Sequence, residues 1–278
     1  MTNGTAIATG TVVSSRFRQA LDELYSTYNG PEHIHPDPLE FVHLYDSTPD
    51  REVVGLIASS LAYGRVKQIL SSVRTVLDKM GPSPSSFLLQ NPPSRIRNSF
   101  RLFKHRFTSG VELSAMLIGI RKLLSRYGSL EACFLKHVDP AGESILPPLS
   151  EFVSELSVAA GQKMPMFLPS PLQGSACKRL NLFLRWMVRS DNVDPGAWKG
   201  VSASHLVVPL DTHMHRIALS LGLTSRKQAD LRCAIEVTRG FASICPEDPV
   251  RYDFALTRLG MNNNELSNAR LLALDKCL

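Results

Sequence analysis

Pro209-Leu210-Asp211-Thr212-His213-Met214-His215-Arg216-Ile217-Ala218-Leu219-Ser220-Leu221-Gly222-Leu223 is the stretch that sets the fold class. Met214, Ile217, Ala218 and Leu221 recur three or four residues apart, the spacing of one helical face. Asp211 stands immediately before the periodic run, where a carboxylate accepts from the free N–H groups of a first helical turn and so stays ionised. Gly222 is a good terminator at the other end. A capping Asp explains itself without catalysis. His213-x-His215 beside Asp211 would also suit a hydrolase with a metal pair, but side chains two apart on a helix point in different directions.

A second helix of the same kind lies upstream, Cys177-Lys178-Arg179-Leu180-Asn181-Leu182-Phe183-Leu184-Arg185-Trp186-Met187-Val188-Arg189. Leu180, Phe183, Leu184, Met187 and Val188 form its core face, and Lys178, Arg185 and Arg189 fall on the opposite one. Lys178 sits in the first turn, where the positive end of the helix dipole disfavours an ammonium ion. Arg179 beside it acts in the same direction. An amine that surrenders its proton readily can serve as a nucleophile, whereas most surface lysines only bind phosphate or nothing. Trp186 reads as a core residue, close enough to Lys178 in sequence to line a pocket; Trp198 has no assigned role.

The same periodicity predicts helices over Ser15–Thr27, Asp50–Lys79 with Asp50 as cap and Gly81-Pro82 as stop, Gly110–Arg126, Ser129–His137 and Pro148–Ala160. A loop rich in proline and glycine, Gly161–Ser175, precedes a helix over Ala176–Arg189. Further helices are expected at Thr212–Leu221, Ser225–Phe241, Pro249–Leu259 and near Glu265–Leu274. No alternating run is long enough to build a sheet, and no internal repeat occurs. The expected fold class is all-α.

The 278 residues carry 31 Lys+Arg against 25 Asp+Glu, a formal charge of +6, with 44% hydrophobic residues. This is globular composition, not that of a disordered chain. The longest apolar run, Val53 to Gly64, has 12 residues, short of the roughly 18 that a membrane helix needs. Residues 1–14 lack the pattern of a signal peptide and read as a disordered tail. Five widely spaced cysteines without C-x-x-C offer no zinc or iron–sulfur site and suit a reducing cytoplasm. Positive charge is clustered: Arg95, Arg97, Arg101, Lys104, Arg106, Arg121, Lys122, Arg126 and Lys136 are opposed over the same span only by Glu112 and Glu131. Such clusters are what a polyanion backbone requires, although a merely solvated face looks the same in sequence.

Leu210-Asp211-Thr212-His213 with Arg216, followed by Leu221-Gly222-Leu223, resembles the V-D-T-H-V-x-R…R-L-G-L signature of the helix–hairpin–helix DNA glycosylases, the endonuclease III-like superfamily. Upstream, Leu56-Ile57-Ala58-Ser59-Ser60-Leu61-Ala62-Tyr63-Gly64-Arg65 resembles the L-L-S-x-Q-x-T-D helix end that meets the opened duplex, with Leu61 where Gln is usual. The L-P-G-x-G hairpin string and the four-cysteine cluster are both missing from the sequence. The archaeal 8-oxoguanine glycosylase branch, which also lacks the glycine hairpin and carries its nucleophilic lysine at a helix start upstream of the Asp, is the more similar one. Here Lys178 precedes Asp211 by 33 residues. The whole chain also resembles an uncharacterised, mostly bacterial family of unknown function related to that superfamily.

The resemblance implies a base-excision glycosylase with AP-lyase activity acting on an oxidised base such as 8-oxoguanine. Lys178 would be the nucleophile and Asp211 the catalytic carboxylate, with no metal or other cofactor. It implies a monomer working on DNA, away from membranes, in the cytoplasm and on the nucleoid if bacterial. Two interleaved helical subdomains would flank a cleft, a barrel of residues 38–189 and a second unit of 15–37 with 190–278. Arg179, Arg185, Arg101, Lys104, Arg106, His213 and Arg216 would hold DNA, and Tyr63 and Arg65 would fill the gap left by the flipped base. The alternative is a non-catalytic nucleic-acid-binding protein on the same fold.

Overall fold

A computed structural model describes residues 15–164 and 167–261. The expected tail over 1–14, the helix over 265–274 and Cys277 lie outside the described residues. The chain is mostly helical: α1 (Ser15–Tyr28), α2 (Thr48–Ser60), α3 (Val66–Met80), α4 (Pro84–Gln90), α5 (Pro93–Phe100), α6 (Gly110–Tyr127), α7 (Leu130–Leu135), α8 (Leu146–Ala160), α9 (Lys178–Val188), α10 (Thr212–Ser220), α11 (Leu231–Ala242) and α12 (Asp253–Met261). Short 3-10 segments, among them Pro31–His33 and Pro38–Leu44, join the early helices. The described strands are β1 (Lys104–His105) and β2 (Thr108–Ser109), an antiparallel hairpin with His105 opposite Thr108. The fold class is all-α.

α2 sits at the centre. Every residue from Glu52 to Ser60 is buried, as expected of a helix apolar on all sides. It packs against α9 and the 38–44 segment. Gly55 allows the approach of α9, since a Cβ there would stand 2.9 Å from Met187 Cε. Glu52, fully buried, reaches from α2 to accept the N–H groups of Leu130 (2.9 Å) and Glu131 (2.8 Å) at the start of α7. It also accepts from Trp198 Nε1 at 2.7 Å. Trp198 thereby gains a role that the sequence left open. α6 packs on α4, α5, α7 and α8, while α1 packs on α12 and α12 on α10.

Several sequence expectations need correction. The continuous helix over Asp50–Lys79 is two helices, broken at Leu61–Arg65. Gly64 there takes φ +99, and the Arg106 side chain crosses it so closely that a Cβ would lie 2.7 Å from Arg106 Cδ. The cap of α2 is Ser47; Asp50, in the first turn, accepts instead from Ser47 Oγ (2.7 Å) and the Ser85 N–H (2.8 Å). α11 begins six residues later than expected, because Asp230, whose side chain accepts from Cys233 N–H at 2.8 Å, is its cap. Helices α4 and α5 lie where no helix was expected, each led by proline in its first turn.

Candidate active site

The chain enters α9 through Cys177 in the left-handed region (φ +47), an uncommon conformation for a residue with a Cβ. Ser175 Oγ accepts the Cys177 N–H at 3.2 Å, and Cys177 Sγ donates to the Pro169 carbonyl at 3.3 Å. Lys178 is thereby the first helical residue, and no side chain caps the N-terminus of α9. Burial pushes the Cys177 thiol up to about 11, so it stays protonated near neutral pH and the adjacent amine is the candidate nucleophile.

Asp211 caps α10, with its Oδ1 accepting from His213 N–H (2.9 Å) and Met214 N–H (2.8 Å). Its other oxygen, Oδ2, lies 3.2 Å from Lys178 Nζ. One carboxylate thus divides its work between a helix start and an amine 33 residues away in sequence. The Lys178 side chain is 33% exposed and that of Asp211 21%, so the pair is partly sheltered and still open on one side. Burial raises the Asp211 carboxyl, but the Lys178 charge and the Met214 N–H outweigh it, and the group titrates below the usual carboxylate range. Helix position and the neighbouring Arg179 place only cationic influences around Lys178, and the pairing with Asp211 comes from the glycosylase resemblance alone. The structure sets that carboxylate against the amine.

Arg179 turns away from the amine. Its Nη1 donates to the Ser60 carbonyl at 3.1 Å, and its guanidinium lies 5.0 Å over the Tyr63 ring. The Tyr63 hydroxyl donates to the His105 carbonyl at 2.8 Å and is equally close to Thr108 Oγ1. The tyrosine ring stands edge-on to the His105 imidazole, 4.6 Å between centroids. Burial, with Arg106 and Arg179 nearby, holds His105 below its usual value. Arg179 and Tyr63 are therefore joined to the base of the hairpin, while Arg65, Arg101, Lys104 and Arg106 are exposed.

Arg185 corrects the expectation furthest. It lies 3% exposed, pairing through Nε with Asp194 at 3.2 Å and through Nη1 with Asp253. Arg189 is buried too, between Asp191 (2.9 Å), Asp194 and Asp248 (2.9 Å). The face opposite the core stripe carries an internal charge network, because its partner acids come from the segment after α9, from Asp248 ahead of α12 and from α12 itself. Arg185 is consumed in the core and has no free face for a phosphate. Trp186 is fully buried.

On α10 the two histidines diverge. His213 Nδ1 is 2.8 Å from Arg216 Nη2, and His215 Nε2 is 2.8 Å from the Arg226 carbonyl. Arg216 is exposed and His213 half-buried. Among the described residues, no three His, Cys, Asp or Glu side chains converge as metal ligands would, and no helix is long and apolar enough to cross a membrane.

No curated protein and no solved structure matches the chain. Residues 37–262, which span both Lys178 and Asp211, match the profile of the family described as "Protein of unknown function (DUF2400)", and the chain belongs to that family.

Proposed function

We propose that the protein is a DNA glycosylase with lyase activity that attacks C1′ of a flipped nucleotide through Lys178. The observation that carries this reading is the 3.2 Å approach of Lys178 Nζ to Asp211 Oδ2 in a partly exposed site. The resemblance of the segment around Asp211 to the helix–hairpin–helix glycosylases supports it. Asp211 Oδ2 takes a proton from the Lys178 ammonium, and the freed amine lone pair bonds to C1′. The C1′–N bond to the base breaks, with its electron pair leaving on the base, which takes the proton held by Asp211. The C1′–O4′ bond then breaks with its electron pair on O4′, which takes a proton from Nζ, and the nitrogen lone pair closes a protonated imine between Nζ and C1′. Loss of a C2′ proton then expels the 3′ phosphate and cuts the strand. Extrusion of the nucleotide costs a few kcal/mol of stacking, least at a damaged base.

The exposed cations Arg65, Arg101, Lys104, Arg106 and Arg216 would neutralise backbone phosphates, with affinity falling as salt rises. Borohydride reduction in the presence of an oligonucleotide carrying 8-oxoguanine or an abasic site tests the chemistry. A covalent adduct should form with the natural protein and vanish in Lys178→Gln. An adduct that persists in that variant moves the role to another amine.

The same ion pair favours a second reading. An ammonium that keeps its proton against Asp211 makes a phosphate contact but no bond, and the protein is then a non-catalytic nucleic-acid binder. Lesion-dependent binding with no adduct in the natural protein identifies that case.

A further inference from the structure

Phe107 occupies the tip of the β1–β2 hairpin with 74% of its surface exposed, although it is one of the largest apolar side chains in the protein. The base of the hairpin is fixed. His105 and Thr108 are buried, and the Tyr63 hydroxyl donates to the His105 carbonyl. Ser72 Oγ on α3 is 2.9 Å from His105 Nδ1. At the far end Ser109 and Glu112 form a reciprocal cap at the start of α6. An aromatic ring is thus held out on a preorganised support, so little conformational freedom is lost when it meets a partner.

The surroundings of the ring indicate the partner. From Arg95 to Arg106 the chain carries five cations and no acid. Arg101, Lys104 and Arg106 are exposed around the hairpin, and Arg65 is exposed beside Gly64, the residue that the Arg106 side chain crosses. Arg106 itself takes φ +51 in the two-residue turn, at the position where a turn with one left-handed residue usually has glycine. Its guanidinium carbon lies 5.6 Å from the Phe107 ring centroid. A cation and an apolar ring therefore share the tip. The hairpin is tied in turn through Tyr63 to Arg179, the residue that follows Lys178. An apolar side chain set among cations is the chemistry by which proteins grip phosphates and open a base step.

We propose that Phe107 is a wedge that stacks into a weakened base step of double-stranded DNA while Arg101, Lys104 and Arg106 hold the flanking phosphates. This assigns the gap-filling role to the hairpin and not to Tyr63, whose hydroxyl and ring are both engaged inside the protein. The proposal shares with the preceding reading the class of partner and is independent of the lysine chemistry.

The test uses the full chain and a duplex with 2-aminopurine beside an abasic site. Binding by the natural protein should raise 2-aminopurine fluorescence as the base unstacks. Phe107→Ala should remove most of that rise and weaken binding about tenfold, with the salt dependence unchanged. Phe107→Trp should restore the rise and show quenching of its own emission. Lys104→Gln with Arg106→Gln should keep the unstacking at saturation and lower the slope of log affinity against log salt by about 2. A rise that is the same in Phe107→Ala overturns the proposal. So does an absence of duplex binding, or Phe107-dependent binding to phosphatidylserine vesicles in preference to DNA. Phe107-dependent unstacking without a borohydride adduct would remove the glycosylase reading and leave the wedge. An adduct with unstacking indifferent to Phe107 would do the reverse.

Discussion

The two ends of α9 carry the same kind of side chain to opposite fates. At its first turn Lys178 is a third exposed and meets one carboxylate, Asp211. Two turns later Arg185 and Arg189 are nearly sealed from water and share Asp191, Asp194, Asp248 and Asp253. A buried charge has to be paired, because desolvation otherwise disfavours it by several kcal/mol, whereas a half-exposed pair is weakened by water on its open side. The inner end locks α9 to α12 and to the segment after α9. The outer end keeps an amine and a carboxylate that a ligand can still reach. Rigid charge behind and accessible charge in front is an arrangement suited to holding a reactive group in place.

The largest effect should come from the inner end. Arg185→Met leaves buried Asp253 without its cation and takes one of two from Asp194, which keeps Arg189, and should cost about 3–5 kcal/mol in urea unfolding. Adding Asp253→Asn to it should recover part of that loss, since the penalty belongs to the acid left unpaired. A double variant less stable than the single one would show instead that Asp253 holds the fold through other contacts.

The sequence made the apolar half of this helix legible and not its charged half. Leu180, Phe183, Leu184 and Met187 are buried as their spacing requires. Helical periodicity sees only one element, however, and the acids that draw Arg185 inward lie as far away as Asp253. Asp211 was readable as a cap because capping is local, and α10 starts where it predicts. That Asp211 Oδ2 also faces Lys178 is a tertiary fact with no local signal. The break between α2 and α3 was marked by Gly64, but the apolar run through Tyr63 masked it. The hairpin escaped notice because each strand has two residues, too few for any alternation to register. Tyr63 and Arg179 were singled out separately, and nothing in their spacing announced that they would stack on each other. Two basic residues separated by a single residue, as in Lys104-His105-Arg106-Phe107, carried charge information only.

Between the two ends in expected effect lies the conformation of Cys177. A β-branched residue tolerates the left-handed region poorly. Cys177→Val should therefore destabilise the protein by about 1–3 kcal/mol, and it should lower adduct formation because Lys178 follows directly. Unchanged stability would mean that the chain enters α9 by another backbone path.

The outer end should show the smallest effects on folding. Lys178→Gln should change unfolding free energy by no more than about 1 kcal/mol, as expected of a partly exposed ion pair, even while the adduct is lost.

Asp211→Asn is the sharper variant at that end, because an asparagine oxygen can still accept from His213 and Met214 and only the charge facing Lys178 is removed. Its cost near pH 7 should be under about 1 kcal/mol. The pH dependence reports what the negative charge of Asp211 contributes. The Asp211 carboxyl titrates below its usual value of 3.8, so it binds fewer protons in the folded chain than in the unfolded one. Its contribution to stability is complete above the usual value and disappears as pH falls through the lower one. Unfolding curves of the natural protein and the variant should therefore stay apart by a constant amount above about pH 5 and draw together below about pH 4. Curves that remain parallel throughout would mean that neither the Lys178 ammonium nor the Met214 N–H favours the charged carboxylate, and the outer end of α9 would then hold no working ion pair.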